Sequence, residues 1–209
     1  MYVPANFAEE RVPVLHETIR AIKLGTLVTL GGEEMIASHV PMLVDPEPAP
    51  YGTLLGHVAR ANPQWKEVSD KVRALAIFLG PDAYITPSWY ATKRETGKVV
   101  PTWNYSAIHA YGRVRFFDDS ERLLKIVTGL TNTHEGKRAA PWAVTDAPAD
   151  YIKGMLRAIV GFELPIERLE GKWKMSQNRP AEDRAGVIDG LRQDGETTVA
   201  DIVVERNQS

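Results

Sequence analysis

The run Leu55-Gly56-His57-Val58-Ala59-Arg60-Ala61-Asn62-Pro63-Gln64-Trp65 carries a strand-like stretch into a helix-like one. A junction of that kind aims backbone N–H groups at one point, and an arginine beside a histidine there is suited to holding a phosphate. Plainer roles stay open for both residues: Arg60 as a solvated surface cation, His57 as a hydrogen-bonded core histidine.

A second run spans residues 100–112, Val-Pro-Thr-Trp-Asn-Tyr-Ser-Ala-Ile-His-Ala-Tyr-Gly. Strand alternation puts Trp103, Tyr105, His109 and Tyr111 on one face and Thr102, Asn104, Ser106 and Ile108 on the other. An aromatic face and a hydrogen-bonding face together suit a planar heterocycle rich in carbonyl and imide groups. A core strand with an ordinary aromatic stripe gives the same pattern. The third run, Lys172-Trp173-Lys174-Met175-Ser176-Gln177-Asn178-Arg179, closes a strand and leads to a helix at Pro180. The two-residue period sets Lys172 and Lys174 together, opposite Trp173. A lysine-blunted strand edge and a Ser176 helix cap are the alternatives.

Other chemistries lack their residues. The histidines at 16, 39, 57, 109 and 134 have no tight metal-ligand spacing, and there is no cysteine to supply a thiolate or a disulfide. No nucleophile-elbow or phosphate-loop motif occurs, so hydrolase and nucleotidase readings gain no support. A net charge of −2 disfavours a surface that coats nucleic acid. The helix expected over 180–192 mixes Arg184 and Arg192 with Glu182, Asp183 and Asp189, and no convincing DNA-reading helix pair is seen. No apolar run reaches the roughly 20 residues of a membrane helix, and the first residues lack signal-peptide character, so the expectation is a cytoplasmic protein with no membrane partner.

The elements that must position these runs are mostly strands. With 44% hydrophobic and 25% charged residues the chain is an ordinary folded one, and its 209 residues allow one large domain or two small ones. A helix over 14–22, with Leu15, Ile19 and Ile22 on one face, is expected to stop at Gly25. A hairpin follows, 26–30 turning at Gly31-Gly32 into 35–44, and then a Pro-rich loop over 45–52 and a strand over 53–58. Asn62 caps a short helix with Pro63 in its first position. Residues 72–79 and 83–86 read as a hairpin about Pro81-Asp82, 92–98 as a loop, and 99–117 as a long strand broken or bent near Gly112. Helices are expected over 120–131, capped by Ser120, and over 147–158. A strand over 162–175 and a helix over 180–192 follow, and 197–206 stays open between helix and strand. Strands joined by short turns, without strand-helix alternation, favour an antiparallel, closed or partly closed barrel with peripheral helices over a doubly wound sheet.

Several of these runs, in this order, resemble the PaiB-type FMN-binding negative transcriptional regulators. The resemblance rests on Met1-Tyr2-Val3-Pro4, Ser38-His39-Val40-Pro41, Gly56 to Trp65, Pro87-Ser88-Trp89-Tyr90, Val99 to Tyr105, Lys172 to Arg179 and Asp183-Arg184-Ala185-Gly186-Val187-Ile188. It implies a mainly β (α+β) FMN-binding split β-barrel, related to the pyridoxamine phosphate oxidases. The expected organisation is one domain over 1–209, with a helical region from about 178, assembled as a homodimer. By similarity His57, Ala59, Arg60 and Asn62 would lie near the FMN phosphate, and Thr102, Trp103 and Asn104 would line the flavin. Lys174 and Gln177 would reach the site from the C-terminal strand, with the partner subunit as the expected donor.

The function so implied is a repressor that binds FMN, with contact to DNA direct or indirect. The alternative is an FMN-dependent oxidoreductase of a small molecule that does not touch DNA. A haem-binding reading has only fold kinship and scattered histidines behind it. The flavin itself would carry any hydride chemistry, so no catalytic residue is named.

Overall fold

The computed structural model describes residues 1–69 and 72–207; the end of the expected helical region, 208–209, lies outside the described residues. In chain order the elements are β1 (Ala8–Glu9), α1 (Val12–Ile22), β2 (Leu24–Gly31), β3 (Glu34–Asp45), β4 (Thr53–Ala59), α2 (Gln64–Glu67), β5 (Ala74–Ile85) and α3 (Ala91–Thr96). They continue with β6 (Thr102–Gly112), β7 (Arg115–Phe117), α4 (Ser120–Glu135), α5 (Ala149–Arg157), β8 (Ile159–Pro165), β9 (Arg168–Lys174), α6 (Ala181–Gln193) and α7 (Thr197–Arg206). The chain forms two compact units: Arg11–Phe78 with His109–Leu169, and Met1–Glu10 with Leu79–Ile108 and the residues from Glu170 onward.

In the first unit the strands follow the order β5-β2-β3-β4-β8-β7. Every pairing is antiparallel, with registers such as Thr26↔Ile77, Gly25↔Val40, Leu43↔Leu55, Val58↔Val160 and Phe116↔Phe162. β2 alternates strictly, turning Leu27 and Thr29 inward. It joins β3 through Gly32-Glu33, where Gly32 has φ 58, a value that a tight hairpin turn demands and glycine meets without strain. The hairpin is the expected one, displaced by a single residue.

Helix α1 does not stop at Gly25. Lys23 terminates it with φ 67, and its N–H bonds the Ile19 carbonyl. Gly25 instead sits inside β2, where a Cβ would stand 2.7 Å from the Phe78 ring, so close packing explains the glycine. Asp119, not Ser120, caps α4: its carboxylate accepts from the Arg122 N–H.

The second unit orders its strands β1-β9-β6-β5, with α3, α6 and α7. Three expectations change here. β5 continues through Pro81-Asp82 rather than turning, although its inward alternation shifts phase there, because proline's fixed φ is compatible with extended chain and costs only one donor. The polar stretch after Tyr90 is a helix, α3. Its Ala, Lys, Arg and Glu are good helix formers, Gly97 ends it at φ 67, and Asp183 binds both the N–H and the hydroxyl of Thr92 at 2.9 Å. The single strand expected over 162–175 is two strands, β8 and β9. Residues 197–206 resolve to helix, α7.

Candidate functional site

The His57–Trp65 junction lies in the first unit. Arg60 is a strut: its backbone N–H donates to the Ala158 carbonyl at 2.8 Å, Nε to the Arg157 carbonyl at 2.7 Å and Nη2 to the Ile159 carbonyl at 3.0 Å. Its guanidinium also lies 5.9 Å from the Trp65 ring, whose Nε1 returns a bond to the Arg60 carbonyl at 2.9 Å. Asn62 is likewise committed, donating from Nδ2 to Ser38 Oγ at 2.8 Å and accepting the Gln64 N–H on Oδ1 at 3.0 Å. That last bond is a local turn ahead of the helix and not the expected cap, since α2 starts at Gln64 with Pro63 as its N-cap and no side-chain cap. Ala59 is exposed. Nε and Nη2 of Arg60 and the Asn62 amide are therefore engaged by the chain itself, while Arg60 Nη1 faces Asp118 Oδ2 at 3.8 Å from a side chain that is 38% exposed.

His57 differs from its neighbours. It is half-buried, its Nδ1 is buried without a hydrogen-bond partner, and burial holds its imidazole below the ordinary histidine pKa. It lines two apolar cavities of about 280 and 320 Å3, which share Val127, Thr131 and Trp142.

A polar pocket lies in the second unit, where β6 and β9 run side by side and the chain turns toward α6. Thr102, Asn104, Lys174, Ser176, Asn178 and Arg179 line it. Lys174 Nζ donates to Thr102 Oγ1 and, at 2.6 Å, to the Trp103 carbonyl. Asn104, buried at 1% exposure, meets Ser176 twice: Nδ2 donates to Oγ at 3.1 Å, and Oδ1 lies 3.2 Å from the same hydroxyl. Burial, followed by the charges of Lys172 and Arg179, holds the Lys174 ammonium below its ordinary pKa.

Four of the expected residues thus converge within one chain: Thr102, Trp103, Asn104 and Lys174. Trp103 takes part through its carbonyl, while its side chain is half-exposed and its ring meets Tyr84 edge-on at 5.9 Å. Gln177 braces the turn instead of facing outward, its Oε1 accepting the Met175 N–H and its Nε2 donating to the Trp173 carbonyl, each at 2.6 Å. Ser176, Asn178 and Arg179 were not singled out as ligands by sequence, although all three stand in the run that was. Ser176 adopts φ 62, which the sequence does not reveal.

Fold and pocket define the class first: a mainly antiparallel split-barrel protein with peripheral helices and a polar, cationic pocket at the end of its last strand. Residues 1–168 match the family described as "Putative FMN-binding domain", and the chain belongs to that family. An uncharacterised protein of Emericella nidulans is 38% identical across 100% of this chain and 98% of its own. The protease synthase and sporulation protein PAI 2 of Bacillus subtilis is 31% identical, over 93% of this chain and 90% of its own, in line with the resemblance read from the motifs. Among solved structures, a conserved hypothetical protein of Mycobacterium tuberculosis aligns with TM-score 0.61 and 12% identity, over 86% of this chain and 94% of that one. The FAD and haem binding protein of Mycobacterium smegmatis aligns with TM-score 0.57 and 14% identity, over 84% and 77%. Both likenesses speak for the fold alone.

Proposed function

We propose that the protein is an FMN-binding regulator of the PaiB type that works as a homodimer. The observation that supports it is the convergence of Thr102, Asn104 and Lys174 on one pocket, in a chain that belongs to an FMN-binding family. FMN is anionic and rich in hydrogen-bonding groups. The pocket answers both properties, with cations at Lys174 and Arg179 and with the amide and hydroxyl groups of Asn104, Asn178, Thr102 and Ser176. Bound FMN would supply reversible electron and hydride transfer. The chain's own residues bind and orient: Thr102 and the Trp103 carbonyl fix the Lys174 ammonium, and Ser176 fixes the Asn104 amide.

Helices α6 and α7 are joined by the short turn 194–196, in which Gly195 has φ 85, a length and composition of connection that DNA-reading helix pairs also use. Its charge is wrong for the task. Exposed Asp194, Glu196, Asp201 and Glu205 surround the pair, and the lone basic residue of α7, Arg206, binds Glu9. Phosphate repulsion there argues against α7 as the groove reader, so the DNA contact of a regulator falls to another surface, and it equally supports a second reading, an FMN-dependent oxidoreductase of small molecules.

The test is a visible absorption and fluorescence titration with FMN beside light scattering, followed by retention of genomic DNA fragments across a salt series. Saturable FMN binding to a dimer with salt-sensitive DNA retention supports the regulator. FMN binding without DNA retention, and with flavin reduction by a nicotinamide nucleotide, favours the oxidoreductase. A well-folded protein that binds no FMN removes both.

A further inference from the structure

The pocket between β6 and the turn after β9 holds more positive charge than anything in its surroundings balances. Lys174 and Arg179 line it and Lys172 stands close by, yet among the described residues none of the three forms an ion pair with a carboxylate. Lys172 is 7% exposed, and its ammonium rests against the rings of Tyr105 and Tyr2, 5.0 and 5.7 Å away. Arg179 lies over the buried Tyr90 ring at 4.6 Å. The nearby carboxylate, Asp183, is engaged by Thr92 through both of its oxygens. Partly buried cations without a counter-charge are costly, and a bound anion removes that cost.

The neutral part of the pocket is built to the same end. Asn104 and Ser176 are almost wholly buried and orient one another. Ser176 sits in the left-handed region at φ 62, a conformation that a non-glycine residue keeps only when its surroundings enforce it. They do so here: the Gln177 side chain bonds back to the Trp173 carbonyl and the Met175 N–H just before the turn, Asn207 Nδ2 donates to the Met175 carbonyl at 3.1 Å, and the Arg179 N–H donates to the Ser176 carbonyl at 3.0 Å. The cavity measures about 60 Å3, small beside a site that encloses a whole flavin nucleotide and on the scale of one polar group.

We propose that Lys174, Ser176, Asn178 and Arg179 form an oxyanion site that takes the phosphate of a phosphate monoester. One source is the phosphate of FMN, and in that case the assignment rests on the cofactor reading above. The other is a separate phosphate-bearing ligand. In either case the recognising charges are Lys174 and Arg179, which line the pocket, and not Arg60, which lies in the other unit with Nε and Nη2 on backbone carbonyls and Nη1 3.8 Å from Asp118.

The experiment compares FMN, riboflavin and inorganic phosphate on the full-length protein and on Arg179→Gln and Arg179→Lys, with circular dichroism to confirm folding. Expected are FMN binding at least about tenfold tighter than riboflavin, a loss of most of that preference in R179Q with riboflavin affinity unchanged, and partial recovery in R179K. Should R179Q fail to fold, Asn178→Ala takes its place with the same readout. If neither flavin binds, the cofactor reading fails by itself. Saturable phosphate binding, followed by phosphorus NMR and lost in the variant, would then still uphold the site for a separate phosphate ligand. Equal FMN and riboflavin affinity without phosphate binding overturns the proposal, as does an FMN preference that the variants leave untouched.

Discussion

At the scale of single residues, chemical type was legible and commitment was not. Arg60 reads in the sequence as a phosphate ligand, but its fork donates to the carbonyls of Arg157 and Ile159 across nearly one hundred residues of chain. Nothing local announces those acceptors. Arg60→Ala should therefore lower stability by about 1–3 kcal/mol, the cost of leaving carbonyls unpaired, and the folded variant should keep its FMN affinity. Urea unfolding beside an FMN titration checks both; a variant of unchanged stability that binds FMN poorly would return Arg60 to the ligand set. His57 bears on pH. Its imidazole ionises below the ordinary value of 6.5 because burial disfavours the charged form. As pH falls, the unfolded chain takes up the proton first. Stability is thus complete above about pH 6.5 and declines as pH drops toward the lowered value. His57→Gln should flatten part of that decline, measured as the difference in unfolding free energy between about pH 7 and about pH 5. Parallel curves for the two proteins would count against a titrating role.

At the scale of elements, period and turn chemistry revealed what was local. The β2–β3 hairpin, the bend after Gly112 and the helices α1, α4, α5 and α6 were all legible, to within a few residues. Misreadings fall where a distant partner decides. Pro81 looks like a turn but lies inside a continuous strand, and a polar stretch becomes α3 with its Thr92 bound by Asp183, 91 residues later. α6 offers a sharper case, since Gly186 and Gly190, four apart, share one face that receives Trp89. A Cβ on Gly186 would stand 2.0 Å from the Trp89 backbone oxygen, and one on Gly190 would stand 2.2 Å from its ring. Alanine improves intrinsic helicity by about 1 kcal/mol, whereas overpacking costs about 1–3 kcal/mol. Gly186→Ala should lose outright because backbone cannot move aside. Gly190→Ala should lose less, since a half-buried ring can swing. Thermal melts that rank the two in the opposite order would show that the glycines do not serve this contact.

At the scale of the whole molecule, the pocket-bearing unit is assembled from three stretches of chain, and its closure depends on the two ends meeting. β1 pairs with β9 through Ala8↔Lys172, the N-terminal ammonium binds Glu170 at 2.6 Å, and Arg206 of α7 binds Glu9 from 197 residues away. The last of these is the most enclosed, with the Glu9 side chain 3% exposed and that of Arg206 14%. Arg206 also covers the Trp173 ring at 4.6 Å, so the pair bears on the strand that presents Lys174. A buried ion pair is weak evidence for stability as such, because desolvation offsets much of the attraction, but breaking one side strands a charge. Glu9→Ala or Arg206→Ala should each cost about 3–5 kcal/mol, while Glu9→Leu with Arg206→Met should cost much less than the sum. Urea unfolding of all three variants gives the coupling. The single variants should also bind FMN more weakly at temperatures below global unfolding, because the turn carrying Ser176 and Arg179 continues from the strand that the pair secures. Single variants that unfold like the parent would mean that the two ends of the chain are held by β1–β9 pairing and the Met1–Glu170 ion pair, and that the pocket owes nothing to the Glu9–Arg206 pair.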